Sequence, residues 1–157
     1  MRESSKVGSA LWRSKAFLGL PDDGRFLFVF CLTSPHQTAA GAFRLPDEYA
    51  SADLRWTVFR YRDARSLLID EEFVIFDEET HEFFINGWFK HCPGTNPSHW
   101  KSITSAIAKI SSARIRDEAQ LQMETVQAAI AASKSEPPKT GSVHSLAKTA
   151  HLTGGRR

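Results

Sequence analysis

All four Trp, all eleven Phe and both Tyr lie between Trp12 and Trp100, so the last 57 residues of the chain have no large ring to bury. Aromatic side chains supply much of the energy of a folded core. The core is therefore expected in the first two-thirds of the 157 residues, with the remainder peripheral to it. A chain of this length accommodates one such core.

Charge is segregated along the chain although the formal net charge is only +2. Residues 1–69 sum to +3, residues 70–82 carry seven acids and no base, and residues 83–157 sum to +6. Blocks of this kind create separate basic and acidic surface zones, which bear on binding and not on fold. Two cysteines, Cys31 and Cys92, are too few for a disulfide framework. A reducing, cytoplasmic setting is expected, since no apolar stretch is long enough for a membrane span or a signal peptide.

The run Phe26 to Leu32 in "LPDDGRFLFVFCLTSP" has no periodicity, because every position is apolar. Its ends decide between strand and helix. Asp22 and Asp23 follow Pro21 and suit the positive end of a helix, and Ser34-Pro35 stops it after about twelve residues. A helix buried on most sides is expected, covered by Leu11, Trp12, Phe17 and Leu20. "GAFRLP" suits a small strand, and "PDEYASADL" a short helix to about Ala52 with Pro46 at its first position. After a turn at Asp53–Arg55, a second helix capped by Thr57 buries Val58, Tyr61, Ala64 and Leu68. "FVIFDE" and "EFFINGWF", separated by Glu79-Thr80-His81, read as a β-hairpin. Asn96-Pro97 caps a helix with Trp100, Ile103, Ile107 and Ile110 on one face. A further helix over 113–132 has a thin stripe of Ile115, Ala119, Met123, Val126 and Ile130. From Ser133 the chain is poor in apolar residues, is broken by Pro and Gly, and is expected to be disordered.

This order of elements predicts an α+β, mainly helical fold: a winged helix-turn-helix over 5–110, a helical extension over 111–132 and a disordered tail over 133–157. From Ser5 to Ile110 the chain resembles the N-terminal winged-helix domain of phage and prophage replication proteins, the replisome organisers or DnaD-like initiators. The resemblance runs through "SKVGSALW", "CLTSPHQTAAGAFRLP", "LLIDEEFVIFDEETHEFFINGWFKH" and "NPSHWKSI". It implies duplex DNA as the partner, a role in replication initiation, and a helicase or helicase loader as a second partner. A transcriptional regulator would use the same chemistry.

Four arginines, Arg55, Arg60, Arg62 and Arg65, crowd the second helix and the turn before it. With Val58, Tyr61, Ala64 and Leu68 inward, the opposite side carries Arg55, Phe59, Arg62 and Ser66, flanked by Arg60 and Arg65. Two readings are open. The face enters a DNA groove, where arginine bridges guanine or clamps phosphate and Phe59 touches a thymine methyl; or it is a solvated face whose arginines pair with Asp63, Glu71 or Glu72. The fold order favours DNA, with Lys90, Lys101 and Lys109 as candidate phosphate contacts. The hairpin tip, "FDEETHEF", repels phosphate, so it must stand clear of DNA or dock a basic protein partner. His91, Cys92 and His99 do not match a zinc spacing, and no phosphate loop or acid–base pair is present, so no metal, cofactor or enzymatic activity is expected. The helix over 113–132 is the candidate surface for a second copy or a protein partner.

Overall fold

The computed structural model describes residues 7–135. The chain is α+β and mostly helical, with one small antiparallel sheet. A 3-10 turn, Ser9–Arg13, leads into α1 (Lys15–Gly19), whose Phe17 is buried. Trp12, expected to cover the next helix, lies edge-on against Phe17 and remains 60% exposed.

The run of apolar residues forms α2 (Asp22–Thr33), with Asp22 and Asp23 in its first turn. It buries one face rather than most sides. Gly24, Leu27, Phe28 and Cys31 point inward, whereas Phe26 is 59% exposed. α4 (Val58–Asp70) approaches that inner face closely: a Cβ on Gly24 would stand 2.8 Å from the Leu67 side chain.

β1 (Ala42–Arg44) follows a sharp bend at Gly41, where φ is 72° and an added Cβ would collide with the Trp88 ring. The backbone conformation and the close ring both require glycine. β1 pairs with β3 (Glu82–Ile85), which pairs with β2 (Val74–Asp77), giving the order β1-β3-β2 with Phe43 opposite Phe83 and Phe76 opposite Phe83. Those three rings stack through the sheet's inner face.

Between β1 and β2 lie α3 (Asp47–Leu54) and α4. Pro46 occupies the cap position rather than the first turn, and α3 runs two residues past Ala52 before Arg55 turns it in the left-handed region at φ 54°. Thr57 caps α4 by accepting from the Arg60 N–H at 3.2 Å. Tyr61, Ala64 and Leu68 are buried as the spacing predicts, but Val58 is 36% exposed and the fourth buried position is Arg65. Val58 sits in the first turn, beyond the reach of the core.

The second hairpin segment ends sooner than its aromatic content predicts. Asn86 and Gly87 (φ 71°) turn the chain into α5 (Trp88–His91), which buries Trp88 and Phe89. Asn96 then caps α6 (Pro97–Ile107), accepting from the His99 N–H at 2.8 Å, and Ile103 and Ile107 are buried. α7 (Ala113–Ser135) packs on β2, β3, α5 and α6 and buries Ile115, Ala119 and Met123 in the same core as the sheet. Its start is tied to the hairpin. The Glu82 carboxylate accepts from the N–H groups of Ser111 (3.0 Å) and Ser112 (2.7 Å), and the Ser112 hydroxyl donates to Asp77 at 2.6 Å. Because α7 continues to Ser135, residues 133–135 are helical rather than tail; the rest of the expected tail lies outside the described residues. No helix among the described residues is long and apolar enough to cross a membrane.

Candidate nucleic-acid interface

The corner between α3 and α4 is held by local contacts. His36 meets Asp53 at 2.8 Å and stacks on Tyr49, while the Trp56 ring lies between Phe26 (5.6 Å) and the Arg60 guanidinium (4.2 Å). With α2, α3 and β2 on its inner side, α4 leaves Phe59, Arg62, Asp63, Ser66 and Asp70 exposed. Phe59 is 76% exposed, so it is not a core residue, and Tyr61, Ala64 and Leu68 face inward as expected, whereas Val58 and Arg65 exchange the places expected of them. Arg55, at the tip of the turn, is exposed as well.

Three of the four arginines, Arg60, Arg62 and Arg65, are paired with carboxylates of the protein itself. Arg60 grips Asp23 of α2 with two hydrogen bonds, Nε to Oδ2 at 2.7 Å and Nη2 to Oδ1 at 2.6 Å. Arg62 donates to Asp47 of α3 at 2.5 Å while its side chain stays 60% exposed. The expected partners Asp63, Glu71 and Glu72 form none of these pairs. Asp23 and Asp47 were legible only as first-turn acids of their own helices, because a partner 37 or 15 residues away leaves no local signature.

Arg65 does not belong to the outer face. Its side chain is 7% exposed, it donates to the other oxygen of Asp47 at 2.5 Å, and it approaches Glu78 of the hairpin at 3.5 Å. Its guanidinium is stacked over Phe76 (4.0 Å) and Tyr61 (5.3 Å). A group so enclosed cannot reach a groove, and it serves instead to join α3, α4 and the hairpin. Arg65 falls at a position three to four residues from Tyr61 and Leu68, the spacing of the buried stripe, and that was the signal available.

These pairs set the local electrostatics. Burial pushes the Asp47 carboxyl up, but the hydrogen bonds and charges of Arg62 and Arg65 prevail and hold it below its ordinary value. The hydrogen bond from Arg60 does the same for Asp23. Lys90 and Lys101 are exposed, on α5 and α6, elements that pack against α7 rather than α4. The acidic hairpin is partly used internally: Asp77 and Glu82 anchor the start of α7, leaving Glu78 and Glu79 exposed.

Burial pushes the Cys31 thiol up to about 12, so it stays protonated and unreactive. Among the described residues no three His, Cys, Asp or Glu side chains come together as a metal site. His99, one of the metal candidates, instead accepts from the Thr95 N–H at 3.2 Å. No family model, curated protein or solved structure matches the chain.

Proposed function

We propose that the chain is a winged helix-turn-helix module that binds duplex DNA through the outer face of α4, in a replication-initiation role of phage or prophage type. The observation that carries this reading is the uncovered face of α4: a helix backed by α2, α3 and β2, with Arg55 at its leading turn and Phe59, Arg62 and Ser66 outward. The strand order β1-β3-β2, with the hairpin following α4, supports reading the hairpin as a wing. The replication role is what the sequence resemblance implies.

The internal ion pairs leave Arg60 and Arg62 free to act. The pair of Arg60 with Asp23 is open to solvent and contributes little stability, so a phosphate can replace that carboxylate at small cost, whereas Asp47 is buried and depends on its inner partner when Arg62 leaves. Release of Arg62 leaves Asp47 still paired with Arg65, and release of Arg60 leaves Asp23 partly exposed to water. Arg65 takes no part. The contacts proposed are Arg55, Phe59, Arg60, Arg62 and Ser66.

Substitution Arg62→Gln is expected to weaken duplex binding several-fold to about a hundred-fold in fluorescence anisotropy, according to whether the arginine meets a phosphate or a base. Unchanged affinity in both Arg55→Gln and Arg62→Gln would remove α4 from the interface. A protein-docking role is favoured by one observation, the exposure of Glu78 and Glu79 at the hairpin tip. Reversal of Glu78 and Glu79 to Lys separates the two: a DNA module binds duplex equally or more tightly, whereas a docking module loses its basic partner.

A further inference from the structure

We infer that the groove between β1 and α6 holds a phosphate group, and that it supplies the backbone grip which the acidic hairpin cannot. The inference rests on the nucleic-acid reading for the identity of the phosphate as part of a DNA strand. Arg44, the last residue of β1, stands opposite Glu82 and donates from Nε to the Thr80 carbonyl at 3.3 Å, so it sits at the hairpin-tip end of the sheet. Lys109 lies two residues past the end of α6. Both line a groove of about 470 Å³, along which α6 also presents Ser102 and Ser105.

The charge balance distinguishes this groove from the face of α4. Arg60, Arg62 and Arg65 each have a carboxylate within ion-pair distance, whereas Arg44 and Lys109, like Arg55 at the turn before α4, have none among the described residues. One carboxylate, Glu82, does line the groove, but it is 8% exposed and its two oxygens accept from the backbone N–H groups of Ser111 and Ser112. The Ser102 and Ser105 hydroxyls have no hydrogen-bond partner among the described residues. A guanidinium, an ammonium and two hydroxyl donors around one open space match the several acceptor oxygens of a phosphate.

Position supports a strand of DNA as the source. Arg44 precedes Asp47 by three residues, and Asp47 binds Arg62 of α4. The groove therefore opens beside the end of α3 at which the face of α4 carries Arg62.

The test compares wild-type protein with the double variant Arg44→Gln/Lys109→Gln; both side chains are exposed, and the fold is checked by circular dichroism. Duplex affinity is measured by anisotropy at about 50 and about 200 mM salt, and inorganic phosphate is titrated while the Ser102 and Ser105 amide resonances are followed. Loss of two phosphate contacts flattens the log–log salt slope by about 1.8, so the variant's affinity falls about twelve-fold less between the two salts. An unchanged slope with wild-type duplex binding intact overturns the proposal. If wild-type protein binds no duplex, the function proposed above fails while the groove is still decided by phosphate: shifts lost in the variant support a free-phosphate site, and no shift in wild type overturns it.

Discussion

Asp47 is the carboxylate on which two arginines of α4 converge, and the two differ in what they contribute. Arg62 is largely exposed, whereas Arg65 is enclosed between aromatic rings, and its removal leaves a buried carboxylate short of its inner partner. Arg65→Ala is therefore expected to destabilise the fold by about 3–5 kcal/mol, read from the urea midpoint. A loss comparable to that of an exposed substitution would mean that Arg65 is not the joint between α3, α4 and the hairpin. The same carboxylates set the acid response. Asp47 and Asp23 have folded pKa values below the ordinary 3.8, so their stabilisation is fully present above that pH and is lost as pH falls through the lower folded values. Urea midpoints measured down to about pH 2 should show this loss, reduced in Asp47→Asn. The residue types of the candidate site were readable from the sequence, but their engagement was not. Pairing between Arg60 and Asp23, or Arg62 and Asp47, exists only once three helices have been brought together.

At the scale of elements, local chemistry was the reliable signal. Thr57 and Asn96 cap the helices they precede, and the aromatic and β-branched residues of "FVIFDE" form β2. The misreadings arose where composition stood in for geometry. "EFFINGWF" is rich in aromatic residues, yet Gly87 turns it into α5, and α2, whose run Phe26 to Leu32 is all apolar, still shows Phe26 to solvent because it buries one face. α7 was legible as a helix, but its attachment was not, since Glu82 and Asp77 read as charges at the hairpin tip. Instead they receive the start of α7, and the Ser112 hydroxyl above all holds the Asp77 carboxyl below its ordinary value. Glu82→Ala is expected to cost about 1.5–3 kcal/mol, the worth of hydrogen bonds to a charged group. Amide exchange should accelerate at Ser111 to Ile115. Protection unchanged in that segment would show that the packing of Ile115, Ala119 and Met123 alone holds the helix.

For the whole molecule, the aromatic distribution correctly located most of the core, but the core extends past the last ring to Met123 through aliphatic side chains of α6 and α7. Charge segregation also takes a different form in three dimensions. Much of the acidic block is bound to Arg65 or to the start of α7, and the arginines of α4 are balanced by acids from α2 and α3. Binding by α4 therefore requires phosphate to draw Arg60 from the half-exposed Asp23 and Arg62 from the buried Asp47, and the counterions that DNA releases make affinity depend on ionic strength. The most direct measurement is anisotropy of a labelled duplex with wild-type protein at about 50 and about 200 mM salt. The account predicts binding at the lower salt that falls steeply at the higher; absence of binding at both would contradict it and leave α4 as a solvated helix face.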